Sequence, residues 1–138
     1  MKKQIFTYFL LLCSLPLFTQ SIVDSLENLI ASTDNDSLKM EWYNELRKAT
    51  IYNDVEQAGD YTKQYVAYAE KLELPFNVAL GKVYLGNTYV QREQYENGLT
   101  LFLQAIEYFE TEKDARRMAG TYNSIAVAYE NMSRDSLT

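Results

Sequence analysis

Apolar residues recur along this chain at intervals of three and four, the spacing that gathers them on one side of an α-helix. Ile22, Val23, Leu26, Leu29 and Ile30 make the first stripe and predict a short helix ending near Ser32. The run Thr33-Asp34-Asn35-Asp36 then supplies short oxygen-bearing side chains, which accept from the unpaired amides of a first helical turn. A second stripe follows in Leu38, Trp42, Leu46 and Ala49, and Asn53-Asp54 interrupts it. The third helix is expected from Val55 to about Leu72, with Ala58, Tyr61, Tyr65, Tyr68 and Leu72 on its inner face. Pro75 marks the start of a fourth, because the missing proline amide has no partner at a first helical position anyway. That helix reaches about Arg92. Tyr95 to about Glu110 forms a fifth, with Leu99, Phe102, Leu103, Ile106 and Phe109 inward, and Ala115 to about Met132 a sixth, with Met118, Tyr122, Ile125 and Tyr129. Ser133-Arg134-Asp135 reads as the next turn. No segment sustains a period of two, so the expected class is all-α, and short connections make each helix the antiparallel neighbour of the last.

The two ends and the charge narrow the picture. Met1 to Ser21 opens with Lys2 and Lys3, is apolar for the 14 residues from Ile5 to Phe18 and ends polar, the order of a secretory signal. A bilayer-spanning helix needs roughly 20 apolar residues, so a cleaved signal is expected, with no membrane insertion afterwards and an exported, periplasmic or extracellular location. Cys13 is the one cysteine, and it sits inside this leader behind Leu12, where lipid attachment would want a small residue. A mature chain without cysteine has no disulfide to hold it together. The formal net charge is −6, and loss of Lys2 and Lys3 takes it to −8, which makes nucleic-acid backbones and anionic membranes poor partners. The chain also has no histidine, the usual proton carrier near neutral pH and a common zinc ligand.

The stripes themselves repeat. Leu85, Gly86 and Tyr89 recur as Ile125, Ala126 and Tyr129, 40 positions on, and Val66 and Tyr68 recur as Ile106 and Tyr108 at the same offset. A bundle would explain the stripes but not the offset; stacked helix pairs explain both. Leu85, Gly86 and Tyr89, followed by Phe102 and Ala105, resemble the tetratricopeptide repeat, whose usual length of about 34 is extended here by longer turns. Gly98 stands where that pattern prefers alanine, Glu110 where it prefers proline, and Lys82 where it prefers tryptophan. The resemblance implies an α-α superhelix of about two and a half repeats. An N-terminal helix at 22–34 would precede a repeat domain at 35–138, with units near 36–74 and 76–113 and an incomplete one at 115–138. Gly86 and Ala126 would let helices approach closely, with Phe102, Tyr89 and Tyr129 filling the remaining space.

The resemblance further implies that the first helices of successive units line a concave face on which a polypeptide binds. The groove positions map to Leu80, Val83, Asn87, Val90 and Gln91 in one unit and Asn123, Val127 and Glu130 in the next. Asn87 could both donate to and accept from a peptide backbone; the plainer reading is a solvated surface amide. Lys113, Arg116 and Arg117 form a local positive group, either a solvated turn or a patch for an acidic partner. No arrangement fits a clamp for a terminal carboxylate, with Lys82 standing alone. Glu107 and Glu110 could neighbour each other on one helix but point to water in the repeat pattern, and no GxSxG is present, so catalysis is not expected. Asp34-Asn35-Asp36 lacks the glycine and distal glutamate of a calcium loop. No cofactor or metal is expected. The unpaired third unit leaves an inner face for either a second copy or further repeats to cover. The resemblance thus offers two readings: a non-catalytic polypeptide-binding scaffold, or the sensory segment of a longer signalling protein carrying a histidine kinase or transcriptional regulator.

Overall fold

A computed structural model describes residues 20–137. The predicted secretory signal lies outside the described residues except for Gln20 and Ser21. The described residues form helices throughout and no strand: α1 at 20–32, α2 Asp36–Thr50, α3 Val55–Lys71, α4 Pro75–Gln91, α5 Tyr95–Thr111 and α6 Ala115–Asp135. Their starts have local causes. Before α2 the Asn35 Oδ1 accepts from the Leu38 N–H at 3.1 Å, before α3 Asp54 accepts from Gln57 at 2.9 Å, and before α6 Asp114 accepts from Arg117 at 3.0 Å. Each satisfies an amide that the helix leaves unpaired. Pro75 opens α4 with no side-chain cap. Against the expected end near Met132, α6 runs on to Asp135, so Ser133, Arg134 and Asp135 are helical and not a turn.

Three connections share one construction. The α3–α4, α4–α5 and α5–α6 turns each place a residue in the left-handed region, Glu73 at φ 55°, Glu93 at φ 60° and Lys113 at φ 56°. In each, this residue's N–H bonds three residues back, to Glu70, Val90 or Glu110, and the next N–H bonds five back, to Ala69, Tyr89 or Phe109. That double closure satisfies two of the carbonyls orphaned at a helix end. None of the three is glycine, so each carries the steric cost of a left-handed L-residue. Three-residue turns on 17-residue helices put the helix starts Val55, Pro75, Tyr95 and Ala115 at steps of 20, and two steps make the 40-residue offset of the sequence.

From α2 onward each helix packs against its neighbours in the chain, and α4 also touches α6. The core is accordingly a string of clusters. Val23, Leu46 and Tyr61 join α1, α2 and α3, with Leu26 and Ile30 against them. Met40, Tyr65 and Ala69 continue it toward Val78 of α4. Ala79 with Ala105 and Phe109, then Val90 with Phe102 and Ala128, tie α4, α5 and α6 together. Between α4 and α5 the backbones come very close: a Cβ on Gly86 would lie 2.6 Å from the Phe102 ring, and one on Gly98 would lie 2.9 Å from the Gly86 carbonyl oxygen. Each buried threonine, Thr50, Thr62, Thr88 and Thr121, returns its hydroxyl to a carbonyl of its own helix at 2.7–2.8 Å. They are therefore buried without an unmet donor.

Several expected core residues are on the surface, among them Ile22, Leu29, Leu38 and Tyr122 and, most exposed, Leu103 and Tyr129. Leu103 is 61% exposed, because at 3.6 residues per turn it lies roughly 60° round the helix from Ile106, outside the inward arc of Phe102, Ala105, Ile106 and Phe109. Tyr129 is 58% exposed, since within the described residues no helix lies on α6 as α5 lies on α4.

Candidate partner-binding groove

Leu80, Val83, Tyr84 and Asn87 fall at helical spacing on one face of α4. Across from them α6 presents Arg116, Arg117, Gly120, Thr121 and Ser124, and the Phe109 ring of α5 closes the floor. Together they bound an open cavity of about 310 Å³. The opening exists because α4 and α6 are both anchored on α5, through Ala79, Val83 and Met118 against Phe109, and touch each other only lightly. Asn87 is half-buried there and makes no side-chain hydrogen bond among the described residues, so its amide faces the groove with donor and acceptor free. Thr121 offers less, its hydroxyl being committed to the Arg117 carbonyl at 2.8 Å.

A residue from far upstream backs the wall at Tyr84 without itself lining the cavity. The Arg47 guanidinium of α2 lies 3.9 Å from the centroid of the Tyr84 ring. Its Nε and Nη2 donate to the Asn44 Oδ1 at 3.1 and 3.0 Å, and no carboxylate lies within 4 Å of it among the described residues. Burial depresses the Arg47 pKa, opposed by the fields of Tyr84, Tyr65, Glu45 and Tyr52. Tyr65, behind Tyr84 at 6.4 Å between ring centroids, has its pKa raised by burial, and the hydrogen bond from Asn77 together with the charges of Arg47 and Arg117 counteract this. Arg117 in turn lies over the Phe76 ring at 5.2 Å, with Asp114 3.9 Å from its Nε.

Of the groove residues expected from the sequence, Leu80, Val83 and Asn87 line this cavity. Val90 does not: it is 8% exposed and packs on Phe102 and Ala128, so it is a core residue with almost no surface to offer. Gln91 is exposed at the C-terminal end of α4. Asn123, Val127 and Glu130 are exposed on α6 but outside the cavity, and Glu130 pairs with Arg134 at 3.7 Å. Their counterparts 40 residues earlier are Val83, Asn87 and Val90, which face α6; the matching side of α6 has no helix against it among the described residues. Sequence reading missed Arg47 and Tyr84. Arg116 and Arg117 stood out as neighbours in the chain, but nothing local marks Arg47, which only the tertiary fold brings onto the Tyr84 ring.

A second cavity, of about 550 Å³, lies between the α3–α4 turn and α5, with Leu74, Pro75, Val78 and Ala79 beside Glu70, Glu73 and Lys82. It contains none of the expected groove residues.

Comparison of the chain with protein-family models, with curated proteins and with solved structures finds no match.

Proposed function

We propose that this protein is an exported scaffold of the tetratricopeptide-repeat kind, which binds an extended stretch of another polypeptide in the groove between α4 and α6 and catalyses no reaction. The observation that carries the reading is the groove itself: the first helices of successive pairs face each other over an apolar floor, with the Asn87 amide unpaired between them. The nearest-neighbour packing and the 20-residue step support a stacked array over a closed bundle, in which helices distant in the chain would also touch. Amides and hydroxyls that can meet a peptide backbone, set among apolar side chains, suit an extended chain.

The test is selection from a displayed random peptide library on the full chain, followed by binding of the selected peptides to Asn87→Ala and Leu80→Asp variants. Peptides that lose at least about tenfold in affinity to either variant support the groove, that factor corresponding to about 1.4 kcal/mol. Peptides that bind both variants unchanged would place recognition elsewhere.

A second reading, the sensory segment of a longer signalling protein, is favoured by α6. Ala119 and Ala126 are exposed there at the positions of Ala79 and Gly86, where α4 meets α5, and Tyr122 and Tyr129 are exposed beside them. That strip is shaped to take one more helix. If it is a contact surface, Tyr129→Lys will abolish any concentration-dependent association seen by light scattering; association that the substitution leaves intact would count against it.

A further inference from the structure

We infer that the groove is selective for an acidic segment of the bound polypeptide, whose carboxylate side chains seat on the guanidinium groups of Arg47, Arg116 and Arg117. This rests on the polypeptide-binding reading above and adds the chemistry of the partner. The chain as a whole is acidic, at a formal −6, yet none of the residues bounding this cavity is Asp or Glu, and two are arginines. Elsewhere four cations are matched at close range, Lys48 with Glu45 at 2.6 Å, Lys63 with Asp60 at 2.8 Å, Lys71 with Asp36 at 2.7 Å and Arg92 with Glu56 at 3.1 Å, while the lysines without a carboxylate within 4 Å among the described residues, such as Lys39 and Lys113, stand outside this cavity wall. Of the three arginines at the groove, one has a carboxylate partner and two do not. Arg47 and Arg116 have no carboxylate within 4 Å among the described residues, and Arg117 has Asp114 at 3.9 Å from its Nε. The other acidic influence here, Glu45, is held by Lys48 on the exposed side of α2.

Arg47 is also held in place before any partner arrives. It is sandwiched between the Tyr84 ring and its two hydrogen bonds to Asn44, so binding orders little of it, and the remaining N–H groups of its fork stay available. A partly buried cation whose hydrogen-bond acceptor is a neutral amide gains from a carboxylate more than a solvated lysine does, because the attraction acts outside bulk water. Nucleic acid is the poorer occupant: its long run of phosphates would also meet the acidic surface beyond this small patch.

The experiment compares three synthetic peptides of equal length by fluorescence anisotropy on the full chain. One has glutamates interspersed with apolar residues, one has glutamine at those positions and one has lysine. The acidic peptide is expected to bind at least about tenfold tighter than the glutamine peptide, with the preference shrinking as salt is added. Arg47→Gln and Arg116→Gln are expected to abolish that preference, while Lys63→Gln, which removes the same charge from α3, leaves it in place. Arg116 is exposed and makes no ring contact or ion pair among the described residues, so it reports on binding even where Arg47→Gln perturbs folding. Equal binding of the acidic and glutamine peptides overturns the inference, as does equal loss in the Lys63 variant or tighter binding of a single-stranded oligonucleotide. Glutamine-peptide binding that Asn87→Ala abolishes would leave the polypeptide-binding reading standing while this inference fails. Binding of no peptide of any charge would remove both.

Discussion

Replacing Gly98 with alanine sets two rules against each other. The tetratricopeptide pattern prefers alanine at this position, and a change toward a family's common residue ordinarily stabilises. Alanine in a helix interior is also favoured over glycine by about 0.8–1.0 kcal/mol. The geometry says otherwise: the new Cβ would lie 2.8 Å from the Val90 Cγ2 and 2.9 Å from the Gly86 carbonyl oxygen. Val90 can rotate at a cost of about 0.5–1.5 kcal/mol, but a backbone oxygen moves only if α4 moves with it. Overpacking of this kind costs about 1–3 kcal/mol, so the net effect is destabilisation by up to about 2 kcal/mol. Gly120 is the internal control. It too lies within a helix, a Cβ there meets nothing within 4 Å, and Gly120→Ala should stabilise by most of the propensity term. Propensity cancels between the two variants, so their difference of about 1–3 kcal/mol reports the close approach of α4 and α5 alone. Urea unfolding of the full chain, followed by far-ultraviolet circular dichroism with the slope checked for constancy, measures it. A Gly98→Ala protein as stable as Gly120→Ala would refute the close contact.

Two further outcomes follow from local geometry. Glu93→Gly relieves a left-handed L-residue that nothing else in the turn requires, and it should raise stability by about 0.5–1 kcal/mol, read as a higher urea midpoint; Glu96→Gly, within α5, should lower it by a similar amount. Tyr61 donates to the Glu27 Oε1 at 2.6 Å and so fastens α1 to α3, and its pKa is driven up, first by burial and then by this bond. A raised folded-state pKa means stability that is fully present below the unfolded tyrosine value of about 10 and is lost as pH climbs toward the folded value. The stability gap between the parent and Tyr61→Phe should therefore be constant from neutral pH to about 10 and narrow above it; a gap that widens in alkali would contradict the assignment.

The helix starts were legible because their causes lie within one turn of chain. Asn35, Asp54 and Asp114 cap the amide three residues ahead, Pro75 needs no amide at all, and apolar spacing does the rest. The 40-residue offset was legible for the same reason, as two copies of a helix and turn whose lengths the local sequence sets. The conformation of the turns is not legible in the same way, because Glu73, Glu93 and Lys113 give no glycine to announce a left-handed residue. Burial was less legible at the flanks. Leu103 and Tyr129 have the periodicity of core residues, but whether a helix flank is covered depends on which neighbour lies against it.

Sequence alone thus determined an all-helical chain, the places where its helices begin, and a strip of α4 carrying Leu80, Val83 and Asn87 on one side. Tertiary structure decided what those residues face. That Arg47 stacks on the same Tyr84 that lines a cavity with Arg116 and Arg117 depends on how far each helix is rotated against the next, and that rotation is set by side-chain size at contacts such as Gly81 on Val66 and Gly86 on Phe102. Capping and periodicity act over one or two turns of a single helix. The groove is made by three helices at once, and its charge is a property of their packing.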